Sequence, residues 1–320
     1  MRRLAFALVV LAVAAALAEG AARAWGPGLL PPDRSREARP GEPTPGEPNM
    51  VGDAATGWRA RTGPQQSFGI PGGTFVNSLG ARGPELPLEK ARKRVLFLGD
   101  STVFGVFVAD RDTFAQRVGE ALDVEVINGG CPGWSSWQAL RAVEARLGAY
   151  RPDLVVIATL WSDAQGADTP DAVRFGGARA SWIERSHGFV LLREWVRAAR
   201  WGSRAEEVRV GLQMPVAPTL RVPLADYDDN LRALARTAPA AAFLVLPSVR
   251  DPANGKVGDF RDAYREVMRE VAAELGAPLA DAPSAFVGTD ARAMFHDEVH
   301  PTVAGHARIA AVLTDVLRDR

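Results

Sequence analysis

From Arg94 to the carboxyl terminus, short apolar runs alternate with longer segments of helical period. The runs Val95–Leu98, Val124–Ile127, Leu154–Ala158, Ala242–Leu246 and the weaker Pro278–Ala280 predict strands. Helical spacing covers Asp112–Leu122, Ser135–Tyr150, Ala225–Thr237, Phe260–Leu275 and Thr302–Arg318. Asp112 or Thr113 would cap the first of these helices, and Ser135 or Ser136 the second. The runs lack polar alternation, which implies strands buried on both faces. That pattern predicts an α/β fold with a parallel sheet covered by helices on each side. Ligands in such sheets bind beyond the carboxyl ends of the strands. Ser101, Gly133 and Ser162 each follow the end of one of the first three predicted strands.

The alternation is interrupted after the third strand, over about residues 162–224. A connection of that length should carry structure of its own. It holds Trp182, Trp195 and Trp201, and "FVLLREWVRAARW" at 189–201 has helical spacing with an apolar face. Two readings stand: a small packed subdomain, or a lid over the sheet's functional edge.

Upstream of the alternation the chain divides by composition. Residues 51–93 are glycine-rich without clear period, and "GTFVNSLGARGPELP" predicts a short strand and turn packing on the 94–320 domain. Residues 26–50 are dense in Pro, Gly and Glu and read as a stiff, solvated spacer. Residues 1–25 read as an address: Met1-Arg2-Arg3 precedes an uninterrupted apolar run from Leu4 to Ala18. As a helix that run would span about 23 Å at about 1.5 Å per residue, short of the ~30 Å hydrocarbon core. It suits a signal-peptide core, with an uncleaved membrane anchor as the alternative. The basic start keeps the amino terminus cytoplasmic, so the domain is expected outside the cytoplasm, in the periplasm or cell envelope.

Composition narrows the function. The 320 residues carry a formal net charge of zero with 47% hydrophobic residues, enough for a substantial core. Balanced charge without a basic stripe argues against a nucleic-acid partner. Cys131 is the single cysteine, which excludes an internal disulfide and a cysteine-based metal site.

Two stretches carry candidate chemistry. In "VLFLGDSTVFG", residues 95–105, an apolar strand runs straight into Gly99, Asp100 and Ser101. The turn would present the Ser101 hydroxyl at the sheet's edge, with Asp100 bonding the turn. In "FHDEVHPTVAGH", residues 295–306, His296 and His300 have the i, i+4 spacing of metal ligands in H-E-x-x-H. That motif needs a continuous helix, and Pro301 disfavours helical geometry at His300. The other reading pairs Asp297 with His300: the carboxylate fixes the imidazole tautomer and leaves the far nitrogen free to take a proton from Ser101. His306 reads as a packing histidine, His296 as structural, and His187 has no identifiable partner.

Taken together, "GDS" at 99–101, "NGGCPGWS" at 128–135 and "DEVHP" at 297–301 resemble blocks one, two and five of the SGNH (GDSL-type) hydrolases, in order and spacing. The resemblance covers about residues 74–318, and "NSLGARG" upstream recurs in envelope-associated members. It implies a flavodoxin-like three-layer α/β/α sandwich with about five parallel strands and an insertion after the third. It also implies Ser101 as nucleophile, His300 as general base and then acid, and Asp297 orienting His300. The backbone N–H groups of Ser101 and Gly133 would belong to the oxyanion hole. No metal or organic cofactor is required. The family's third block is G-x-N-D, whose Asn completes the hole; here Leu160, Trp161, Ser162 and Asp163 stand in its place. Ser162 has a shorter side chain and one donor. The expected activity is a serine esterase on small acyl esters, with O-acetyl groups of an envelope polysaccharide as a candidate. Acyl transfer to a sugar hydroxyl and a catalytically weak glycan-binding protein are the alternatives.

Overall fold

The computed structural model describes residues 17, 19–21, 40–44, 47–66, 68–167, 170–176, 219–253 and 261–318. Five parallel strands form the central sheet: β1 (Arg94–Gly99), β2 (Glu125–Asn128), β3 (Leu154–Ala158), β4 (Ala240–Val245) and β5 (Leu279–Asp281). Their spatial order is β2-β1-β3-β4-β5, the flavodoxin-like order with its topological switch point between β1 and β3. Every residue of β1 and of β3 is buried, which is why both read as uninterrupted apolar runs. One helical layer consists of α2 (Phe114–Leu122) and α6 (Val303–Leu317); the other consists of α3 (Ser136–Ala145), α4 (Leu224–Ala235) and α5 (Asp262–Glu274).

Local chemistry sets the helix starts. Thr113 caps α2 by accepting the Gln116 N–H, and Ser135 forms a capping box with Gln138 at the start of α3. The single helix expected over Ser135–Tyr150 is broken at Arg146, whose φ of −156° leaves the helical region, and continues as a 3₁₀ turn over Leu147–Tyr150. A four-residue helix, α1 (Ser101–Phe104), follows β1 directly. Asp100 caps it by accepting the Thr102 N–H at 2.9 Å, and Gly105 ends it in the left-handed region at φ 83°.

The segment before β1 is more ordered than its composition suggests. Glu47–Asp53 and Gly57–Ala60 form an antiparallel hairpin, and Gly63–Gln65 pairs with Thr74–Val76. The first strand begins inside the stretch read as a spacer, where Met50 is buried. The "NSLGARG" turn delivers Arg82 beneath the loop that follows β1. Its buried guanidinium donates to the carbonyls of Phe104 and Gly105 at 2.5 Å and of Val108 at 2.7 Å, with Asp110 as counter-ion. It thus satisfies carbonyls that the short helix α1 leaves without intrahelical donors.

The ends of the interruption after β3 are held together. Thr219–Leu220 pairs antiparallel with Gly166–Ala167, so the chain leaves and returns at one point. Residues 177–218, including the tryptophan-rich helix and His187, lie outside the described residues, as does nearly all of the amino-terminal address segment. Among the described residues no helix is long and apolar enough to cross a membrane.

Gly130 sets how closely the chain after β2 approaches α1. A Cβ there would lie 2.3 Å from the Phe104 nitrogen and 2.8 Å from the Val103 carbonyl carbon. Backbone cannot yield as a side chain does, so Gly130→Ala is expected to cost about 1–3 kcal/mol. Urea unfolding measures it; a change below about 0.5 kcal/mol would show that α1 shifts freely.

Candidate active site

Ser101, at the first position of α1, meets His300 across the edge of the sheet: Ser101 Oγ lies 2.8 Å from His300 Nε2. The other ring nitrogen, His300 Nδ1, lies 2.6 Å from Asp297 Oδ2. Asp297 Oδ1 accepts the backbone N–H groups of Val299 at 3.0 Å and His300 at 2.9 Å. Burial opposes ionisation of Asp297, but the His300 hydrogen bond and these two N–H groups outweigh it and hold its pKa below the ordinary 3.8. The carboxylate therefore stays ionised and acts as an acceptor, which places the proton of a neutral His300 on Nδ1. Its Nε2 is then left to receive the Ser101 proton. His300 precedes α6 and sits in a closed turn: the His296 N–H donates to the His300 carbonyl, and Phe295 bridges Pro301. The continuous helix that an H-E-x-x-H reading requires does not form.

Gly133 belongs to a tight turn after β2. The Trp134 N–H donates to the Cys131 carbonyl at 3.0 Å, and Gly133 has φ +77°. Neither the Ser101 N–H nor the Gly133 N–H meets a protein acceptor among the described residues. Both remain available to a ligand. The Gly133 carbonyl, by contrast, is held by Arg221 Nη1 at 2.7 Å. Arg221 is in turn paired with buried Asp171 at 2.7 Å, and Asp171 accepts the Ser135 hydroxyl at 2.7 Å. Arg221 and Asp171 carry no local sequence signal; their only clue is that they lie near the two ends of the interruption.

Ser162 is buried and follows β3. Its backbone N–H faces the Asp100 carboxylate, although Asp100 Oδ2 has no partner in full hydrogen-bond geometry. Burial raises the Asp100 pKa against the Thr102 N–H and the His300 charge. Asp163 is also buried; it accepts the Ser136 N–H at 2.8 Å and holds α3 to the loop after β3. Burial pushes its pKa up to about 7, opposed by Ser136 and Arg221.

The remaining candidates separate cleanly. His306 is buried, stacks on Phe114 and accepts the Phe114 N–H at Nδ1; burial depresses its pKa to about 3, so it packs as a neutral ring. The Cys131 thiol is buried and pushed up to about 12, which keeps it a thiol. Phe107 carries no local sequence signal either. Its ring centroid lies 5.5 Å from that of His300 and 5.2 Å from that of His296. Its φ of +69° is unusual for a bulky residue, and its N–H donates to the carbonyl of Phe68, which has φ +64°. Among the described residues no group of three His, Cys, Asp or Glu is placed to hold a metal.

Among known proteins, a profile of the GDSL-like lipase/acylhydrolase family matches residues 97–308. No curated protein sequence matches the chain. Among solved structures the chain is similar to LAE5, an alpha/beta hydrolase enzyme from the metagenome of Lake Arreo, Spain. Identity there is 16% and the TM-score 0.47, over 72% of this chain and 96% of that one. It is also similar to Axe2, an acetylxylan esterase from Geobacillus stearothermophilus, at 18% identity and TM-score 0.47 over 72% and 96% of the two chains. A lipase/acylhydrolase from Enterococcus faecalis aligns at 15% identity and TM-score 0.48, over 71% of this chain and 96% of that one.

Asp163 gives the fold a distinct pH dependence. Its folded pKa, about 7, exceeds the ordinary 3.8, so its contribution is complete below that lower value and is lost as pH rises through 7. Asp163→Asn cannot ionise. The unfolding free energy of wild type relative to Asp163→Asn should therefore fall by a few kcal/mol between about pH 4 and pH 8, with a slope of at most about 1.4 kcal/mol per pH unit. Urea titrations across that range decide it, and a flat difference contradicts the assignment.

Proposed function

This chain belongs to the GDSL-like lipase/acylhydrolase family and acts on ester bonds, and from that premise we propose that it is a serine esterase working through Ser101, His300 and Asp297. The observation that carries this reading is the relay from Ser101 through His300 to Asp297, with gaps of 2.8 and 2.6 Å. Ser101 Oγ attacks the ester carbonyl carbon as its proton passes to His300 Nε2. Asp297 holds the Nδ1 proton and stabilises the imidazolium that results. The carbonyl oxygen, now negative, accepts the N–H groups of Ser101 and Gly133. Donors placed in this way act on charge that exists only in the tetrahedral state, and one is typically worth ~10²–10³ in rate. The Ser162 hydroxyl is the third donor we assign, in the position that the family fills with Asn.

Collapse of the intermediate breaks the bond to the alcohol, which leaves with the proton from His300 Nε2. Water then attacks the acyl-enzyme, His300 takes its proton, and the acid is released as Ser101 recovers its hydrogen. The alcohol leaves on the His300 side, so the Phe107 ring flanks the alcohol portion of the substrate.

The substrates we assign are small acyl esters, first among them O-acetyl groups on an envelope polysaccharide. The basic and apolar amino-terminal segment supports that placement outside the cytoplasm. An intact relay favours hydrolysis over a glycan-binding scaffold, which would have no use for it.

Ser101→Ala is expected to lower kcat on an activated acetyl ester by about 10⁶ while leaving the fold intact. Steady-state turnover beside circular dichroism measures both. Equal turnover by the two proteins would remove Ser101 from the chemistry.

A further inference from the structure

We propose that Trp58, on the amino-terminal hairpin, is a positioning residue that locks the oxyanion donor at Gly133. This rests on the reading that the Gly133 N–H meets the oxyanion. It assigns a part of the site to a residue upstream of the family's matched segment, residues 97–308.

Cys131-Pro132-Gly133-Trp134 is a β-turn closed by the Trp134 N–H on the Cys131 carbonyl. Pro132 occupies its second position and Gly133 its third. The φ of +77° at Gly133 marks type II. Types I and II differ by rotation of the central peptide, here the one joining Pro132 to Gly133. Proline at the second position suits both types, and glycine at the third tolerates either sign of φ. The turn sequence alone therefore leaves this peptide two orientations. In one the Gly133 N–H points to one side of the turn; in the other it points to the opposite side.

Trp58 selects between them. Its Nε1–H donates to the Pro132 carbonyl at 3.2 Å. The peptide is trans, so its carbonyl and its N–H point in opposite directions. Anchoring the oxygen on the hairpin side aims the Gly133 N–H away from the hairpin. A donor on the carbonyl also polarises the peptide and strengthens its N–H as a donor. The indole packs directly on the turn: a Cβ at 133 would touch Trp58 Cζ2 at 3.4 Å, an ordinary van der Waals distance, and glycine itself is called for by the φ of +77°.

The indole is itself fixed. The Trp58 carbonyl accepts the Trp134 Nε1–H at 2.8 Å and the Thr56 hydroxyl at 2.7 Å. Phe175 meets its ring edge-on at 5.4 Å between centroids, and the Arg221 guanidinium lies 5.3 Å from the ring centroid. Arg221 also holds the Gly133 carbonyl, so both peptides flanking Gly133 are gripped on their oxygen ends. One side chain spanning hairpin and turn couples the two.

The test is Trp58→Phe, which keeps an aromatic ring against Gly133 and removes the N–H. Acylation and deacylation rate constants on an activated acetyl ester are measured separately, with KM and affinity for an alkyl boronic acid that forms a tetrahedral adduct on the serine. Both steps pass through an oxyanion. Both rate constants should therefore fall about tenfold, less than the ~10²–10³ for deleting a donor outright. Boronate affinity should fall in parallel, with KM unchanged within about twofold. If Trp58→Phe fails to fold, benzothienylalanine at position 58 keeps the two-ring shape and replaces N–H with sulfur; the same losses are expected. Rate constants and boronate affinity within twofold of wild type, in a protein whose Ser101→Ala variant is inactive, would overturn the positioning role and leave the esterase reading standing. Full activity of Ser101→Ala would overturn both.

Discussion

Val95 to Gly99 pairs in parallel with Leu154 to Ala158, one residue against one, in the middle of the sheet. Strand β1 hands the chain to β2 on one side, while β3 lies on the other. The two connections therefore part above this pair and leave a crevice between them. Ser101 follows the end of β1, the turn at Gly133 the end of β2, and Ser162 the end of β3. Close approach of backbone to backbone keeps the crevice narrow: a Cβ on Gly99 would meet the Ala158 carbonyl oxygen at 2.5 Å, and one on Gly130 would meet α1. Substituting either glycine would push apart the segments that carry Ser101, Gly133 and Ser162.

The same crevice holds carboxyl groups in opposed electrostatic situations. Asp297 is partly exposed, accepts three donors and is held ionised. Asp100 and Asp163 are buried, each with one oxygen lacking a hydrogen-bond partner, and burial raises both. The ionised group sits against the His300 ring, 2.6 Å from Nδ1. The two raised groups sit where loops must be tied together, Asp100 at the start of α1 and Asp163 between α3 and the loop after β3. Each ties its loop through a backbone N–H, that of Thr102 for Asp100 and that of Ser136 for Asp163.

Much of this was legible from local sequence. Strands buried on both faces read as apolar runs, Thr113 and Ser135 read as caps, and the Ser101, Asp297 and His300 blocks stood out by spacing. What escaped was short or non-local. Helix α1 is one turn long, below the length at which a period can be seen. The break at Arg146 shows in its φ and leaves no mark in the hydrophobic pattern. Strands such as Gly63–Gln65 contain glycine and proline and pair only because Thr74–Val76 lies opposite. The contributions of Trp58, Arg82 and Arg221 depend on carbonyls far away in sequence: Pro132, Phe104 and Gly133 respectively. A carbonyl is present at every residue, so no residue type advertises that an indole or a guanidinium has been aimed at it.

The departure at block three and the extra hairpin belong to one argument. An Asn amide holds its donor hydrogens in a plane fixed by two torsions, whereas the Ser162 hydroxyl turns freely about its C–O bond. Preorganisation is what makes an oxyanion donor effective, because a dipole that must reorient during the reaction loses part of its benefit. On the proposed reading, with the Ser162 hydroxyl as third donor, the burden shifts to the two backbone donors. Of these, the Ser101 N–H is fixed by β1 and by the Asp100 cap. The Gly133 N–H lies in the one turn of the site whose sequence permits two peptide orientations. The structure brings an indole, an arginine and a buried aspartate to that turn, from outside the strands and helices that define the fold. On the proposed role of Trp58 the hairpin belongs to the active site, and its removal would return to the turn the freedom that a side-chain amide at 162 would have made less costly.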